Sequence, residues 1–166
     1  MSRAFVKEDD TGATGEILDL PQSEHPNYIT PRGLALLRER LAAAQEKRHA
    51  LLETAGGVER ELPLAHAERE VRYLETRIER AIPIDPARQK PQEVAFGATV
   101  RVADPQDEER EFTIVGEDEL DAEHGRVSWV SPLAKALLGA RVGDVILWRR
   151  PAGDVELEIL AIRYAA

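Results

Sequence analysis

Cysteine is absent from all 166 residues, which removes both a disulfide framework and any thiolate metal site. Aromatic side chains make up only 5%, so few are on hand to line an apolar substrate pocket. No apolar run approaches the roughly 20 residues of a membrane span, and Met1 to Asp10 lacks the apolar core of a secretion signal. A cytoplasmic protein with no membrane contact is expected. Positive charge is in deficit, with 22 Lys and Arg against 31 Asp and Glu. The resulting net charge of -9 argues against a general affinity for nucleic-acid backbone. Aspartate is missing from a long interior stretch, with none between Asp19 and Asp85.

Recognisable reaction centres are missing too. The four histidines, His25, His49, His66 and His124, form no helical metal pair, and none has a nucleophile and an orienting carboxylate beside it. Gly56-Gly57 lacks the Lys and Ser/Thr of a phosphate-cradling loop, and Glu117 to Asp121 lacks the alternating ligands and Gly of a calcium loop. No metal, no cofactor and no enzymatic activity of the chain's own are expected.

What the sequence does contain is a doubled heptad. Leu34, Leu37, Leu41, Ala44, Arg48 and Leu51 alternate steps of three and four, and Leu64, Ala67, Val71, Leu74, Ile78 and Ala81 repeat them. The pattern predicts an antiparallel helical hairpin over residues 30–82. Thr30 is the expected N-cap, Pro31 the first helical position, Ala55-Gly56-Gly57 the turn, and Pro63 the start of the return arm. A first arm of about two dozen residues would project roughly 35 Å at 1.5 Å per residue. Residues 1–29 carry two basic and six acidic side chains, the hairpin ten and nine, and residues 83–166 ten and sixteen. Arg38, Arg40, Lys47, Arg48, Arg69, Arg72, Arg77 and Arg80 read as solvated flanks pairing with Glu39, Glu46, Glu68, Glu75 and Glu79, or as a face for an acidic protein or a phosphate backbone.

Residues 1–29 read as a flexible tail and residues 83–94, rich in Pro and Gln, as a linker. From residue 95 the pattern changes to period two. Strands are expected around Thr99–Val102, Phe112–Val115, Val127–Val130, Val145–Trp148 and Val155–Ile159, with one short helix at Pro132–Leu138 closed by Gly139. The fold class is α+β: an N-terminal two-helix coiled coil followed by a small antiparallel sheet domain with one helix, over residues 95–166.

These residues resemble the Gre family of bacterial transcription elongation factors. The resemblance rests on Thr30-Pro31-Arg32-Gly33-Leu34, Val71-Arg72-Tyr73-Leu74 and Phe96-Gly97-Ala98-Thr99-Val100. Further matches are Ile114-Val115-Gly116-Glu117-Asp118-Glu119, Ser131-Pro132-Leu133-Ala134, Gly143-Asp144 and Pro151-Ala152-Gly153. It implies an FKBP-like C-terminal domain that docks on bacterial RNA polymerase at the rim of its secondary channel. The coiled coil would reach toward the catalytic site, where tip carboxylates help hold a second Mg²⁺ for cleavage of backtracked RNA. Carried over residue by residue, Ser131 and Pro132 resemble docking residues, with Gly116, Glu117, Asp118 and Glu119 as support. On this reading the protein is a monomer that meets nucleic acid only within the elongation complex.

The tip departs from the family pattern. The family's motif is an Asp followed three residues later by a Glu, whereas here the tip, Glu53 to Glu61, has no Asp and offers Glu59 and Glu61 as candidates, with Arg60 between them. Chelation loses effect with misplacement of about 1 Å. Three roles follow: modulation of paused or backtracked complexes, blockage of or competition for the channel by a finger without metal ligands, and, from another class, a prolyl isomerase-like FKBP domain. A self-associating adaptor is a further reading, with Arg48 at a seam position as a specificity device.

Overall fold

The structure is a computed structural model and describes residues 17–54 and 56–165. Residues 17–25 contain no helix or strand. Strand β1 (Asn27–Ile29) leads into α1 (Pro31–Glu53). Thr30 Oγ1 accepts from Gly33 N at 3.0 Å, and Pro31 occupies the first turn, so α1 starts by the chemistry its sequence announces. Leu37 and Ala44 of α1 meet Val71 and Leu74 of the return helix α2 (Val58–Glu79) in a buried seam that also takes in Ile29. Toward the tip the seam thins, and Leu52, Val58 and Leu62 are exposed.

Three expectations for the hairpin change. Helix α2 begins at Val58, five residues before Pro63, which lies inside it. The missing N–H of Pro63 leaves the Glu59 carbonyl without its helical donor, a loss tolerable near an exposed tip where water reaches that oxygen. The helix also stops at Glu79, because Ala81–Pro83 forms strand β2, parallel to β1 with Asn27 opposite Ala81. Finally, the coil arginines do not pair with the coil glutamates among the described residues. Arg72 pairs with Asp19 and Arg77 with Asp118, both outside the coil.

After a 3₁₀ turn at Pro86–Arg88 come β3 (Ala98–Ala103) and β4 (Glu109–Val115). Two further 3₁₀ turns, Glu117–Glu119 and Ala122–His124, lead to β5 (Arg126–Ser128). Helix α3 (Pro132–Leu137), β6 (Val145–Trp148) and β7 (Val155–Tyr164) complete the chain. The sheet order is β5-β4-β3-β7-β6. All neighbours are antiparallel except β5, which runs parallel to β4. The expected all-antiparallel sheet is therefore mixed, because residues 116–125 cross back before β5 enters. Leu133, Ala134 and Leu137 of α3 fill the core face against Val100, Val102, Ile114, Leu157 and Ile159. The sheet is curled, since the rings of Phe112 on β4 and Trp148 on β6 lie 6.0 Å apart with two strands between β4 and β6.

Candidate functional site

The β4–β5 crossover carries three consecutive carboxylates, and each grips a different part of the N-terminal half. Glu119, only 6% exposed, turns its carboxylate onto the start of α1. Its Oε2 accepts from Thr30 N and from Gly116 N, each at 3.1 Å, and its Oε1 accepts from Thr30 Oγ1. A negative group is favoured there because the first helical N–H groups are unpaired and carry positive partial charge. Gly33 makes room: a Cβ on it would stand 2.2 Å from Glu119 Cδ. Gly116 is equally tight, with a would-be Cβ 2.3 Å from the Tyr28 carbonyl oxygen.

Asp118 holds the other helix. Its Oδ2 accepts from Arg77 Nε at 2.8 Å and lies 2.7 Å from Arg77 Nη2, and the arginine is 2% exposed. Arg77 Nη2 also donates to Asn27 Oδ1 at 2.6 Å, while Asn27 Nδ2 donates to the Arg77 carbonyl at 2.7 Å. The last-turn carbonyl and the guanidinium are thereby satisfied together, which a buried charge requires. Glu117 Oε1 accepts from Ser23 Oγ at 3.0 Å. Downstream, the exposed Asp121 takes hydrogen bonds from His124, and these hold its carboxyl below the ordinary 3.8.

The segment 116–119 that the family pattern suggested as docking support is thus the joint between hairpin and sheet domain. Glu119 and Asp118 are enclosed by the hairpin and present almost nothing to a partner in this conformation. Ser131 and Pro132 make no hydrogen bond to the joint among the described residues. Ser131 is half-buried and caps α3, its Oγ accepting from Ala134 N at 3.2 Å, and Pro132 is exposed in the first turn. Just before them Trp129 packs edge-on to Tyr28, with ring centroids 4.9 Å apart, and to His25 at 5.9 Å. A small cavity at the opposite end of the sheet is floored by Phe112 and Trp148 and rimmed by Asp104, Glu108, Arg110 and Arg150.

At the tip, Glu59 and Glu61 occupy the first turn of α2 and are exposed. Two residues apart on a helix, their side chains are about 200° apart around the axis and cannot converge on one ion. Arg60, read from sequence as an intruder between carboxylates, has a structural task. Its Nη1 donates to the Thr54 carbonyl at 2.7 Å and the Leu52 carbonyl at 3.3 Å, tying α2 to the end of α1. No cluster of three or more metal-ligating side chains occurs among the described residues.

The family model "Transcription elongation factor, GreA/GreB, C-term" matches residues 88–164. Transcription elongation factor GreB of Neisseria meningitidis serogroup B is 34% identical over 157 residues, covering 86% of this chain and 96% of that protein. The chain belongs to the Gre family. GreA of Thermodesulfovibrio yellowstonii is a second such relative of this Gre-family chain, 36% identical over 82% of it and 96% of its own length. Among solved structures, GreA factor homolog 1 of Thermus thermophilus is 26% identical, covers 84% of this chain and 99% of its own, and gives a TM-score of 0.41. A GreA/GreB factor from Nitrosomonas europaea is 25% identical over 82% and 98%, with a TM-score of 0.42.

Within this Gre-family chain, sequence reasoning gave Asn27 no role and misread two arginines, Arg77 as a coil flank and Arg60 as an intruder between carboxylates. Arg77 carried one usable signal, since it directly precedes the seam residue Ile78, where a cation needs an acidic partner. Nothing local named Asp118 as that partner.

Proposed function

We propose that this Gre-family factor binds bacterial RNA polymerase through the surface around Ser131 and Pro132 and inserts its hairpin into the secondary channel. There it modulates paused or backtracked complexes by occupancy rather than by delivering a metal ion for transcript cleavage. The observation that carries this reading is the tip. Its two carboxylates diverge, Arg60 is locked between them, and no Asp-x-x-Glu pair shares a helix face as a shared ion would require. The joint supports insertion, because Glu119 on the Thr30 cap of α1 and the Arg77–Asp118 ion pair at the end of α2 hold the finger at one angle to the sheet domain. On this reading any RNA chemistry belongs to the polymerase.

The test is RNA cleavage in a defined backtracked elongation complex, with polymerase binding followed in parallel. The expected result is binding with cleavage no faster than polymerase alone, and displacement of a cleavage-competent Gre factor by excess protein. Stimulated cleavage that disappears in a Glu59→Ala, Glu61→Ala variant with intact binding would overturn the occupancy reading. Ser131→Ala with Pro132→Ala is expected to weaken binding, at about 1 kcal/mol of stability for the lost cap.

A further inference from the structure

Residues 17–25 follow a continuous track over the molecule. Asp19 Oδ1 accepts from Arg72 Nε at 2.8 Å and meets Arg72 Nη2 at 2.8 Å. Gln22 Nε2 donates to the Tyr73 carbonyl at 3.4 Å, Ser23 Oγ reaches Glu117, and the His25 ring lies edge-on to Trp129. One segment without helix or strand thus crosses from α2 over the joint to the aromatic residue two positions before Ser131. The track is poorly satisfied. The buried side-chain atoms without a hydrogen-bond partner among the described residues are Gln22 Oε1, Arg69 Nε, Glu117 Oε2 and Trp129 Nε1. Gln22 is on the segment, Glu117 and Trp129 are beneath it, and Arg69 is one helical turn beyond Tyr73. Native interiors leave few such atoms, and each costs free energy that exposure to water or to a new partner returns. Leu18, 79% exposed, adds no apolar anchorage.

We infer that residues 17–25 form an intramolecular strap that covers Trp129 and Glu117 and competes with the docking partner for them. Lifting the strap uncovers the Trp129 indole, two residues before Ser131, and the Glu117 carboxylate at the joint. Together they form a patch suited to a protein surface that offers an apolar pocket next to a basic side chain. Trp is the side-chain type that most often anchors such contacts, and Glu117, whose Oε2 lies 3.9 Å from Arg77 Nη2, offers the Oε1 released by Ser23 to a cation opposite it. The partner arm of this inference rests on the polymerase-docking reading above, while the strap itself does not.

The experiment uses the full chain with Trp148→Phe, leaving Trp129 as the sole tryptophan, excited selectively over the tyrosines, and compares it with the same chain carrying Asp19→Ala, Ser23→Ala and His25→Ala. His25→Ala alone, at an exposed position outside every helix and strand, is the second variant, and melting curves verify folding. The strap variant is expected to show red-shifted, more quenchable Trp129 emission and about fivefold tighter binding to core polymerase, the factor by which a fractionally populated open form limits the parent. Unchanged Trp129 accessibility would overturn the strap. Increased accessibility with equal or weaker binding would overturn the competition and make the segment part of the docking surface. Should Ser131→Ala and Pro132→Ala leave binding intact, the docking reading fails, while the fluorescence result still judges the strap.

Discussion

At the scale of single residues, the joint tolerates almost no added volume. Gly116 has an ordinary φ of -69°, so its requirement is space and not backbone freedom. A methyl there meets a backbone oxygen that cannot swing away. Gly116→Ala is therefore expected to destabilise by about 3 kcal/mol, read from denaturant midpoints, because turn and hairpin must separate to admit it. Tyr164 gives a pH-dependent prediction. Its hydroxyl donates to the Glu93 carbonyl and accepts from Ala95 N, and burial pushes its pKa above the ordinary 10.0. A raised folded-state pKa means the contribution is fully present below pH 10 and is lost as pH rises through the folded value. Tyr164→Phe should cost about 1 kcal/mol at neutral pH and flatten the decline above pH 10.

At the scale of elements, helix boundaries were legible wherever a side chain announces them, as Thr30 and Pro31 do for α1 and Ser131 and Pro132 do for α3. The start of α2 was not. Gly57 caps it without a side chain, and Pro63 is a misleading marker because a single proline is tolerated inside a helix near a solvated end. Pro63→Ala is expected to stabilise the hairpin by on the order of 1–3 kcal/mol, with raised amide protection confined to the tip. A gain spread evenly over the chain would contradict this local account. Strands β3, β4, β6 and β7 were visible as strand-like runs, and β5, expected over Val127–Val130, instead spans Arg126–Ser128 because Trp129 and Val130 turn into α3. Strands β1 and β2, three residues each, show no period.

At the scale of the whole molecule, Arg77 and Asp118 decide whether hairpin and sheet domain behave as one body. Arg77→Ala leaves a buried aspartate and the Asn27 Oδ1 atom unpaired, and is expected to cost about 3–5 kcal/mol. Scanning calorimetry should then resolve two transitions where the parent shows one. Adding Asp118→Asn to Arg77→Ala should recover part of the loss, since the unpaired charge goes with it.

The sequence alone determined the hairpin, its seam, the run of strands in the C-terminal half and the lack of an Asp at the tip. These are local features, and a side chain's place on a helix or strand follows from its spacing. Only the tertiary structure decided what Gly116 to Glu119 do. An acidic turn looks the same whether it faces water, a partner or the protein itself, and its partners here lie far away in sequence: Arg77 is 41 residues from Asp118, Thr30 is 89 from Glu119, and Ser23 is 94 from Glu117. The parallel entry of β5 set the crossover against the hairpin roots, and that placement turned three carboxylates from a surface feature into a joint. Such pairings form when the folded chain removes both charges from water at once, so neither residue announces the other beforehand.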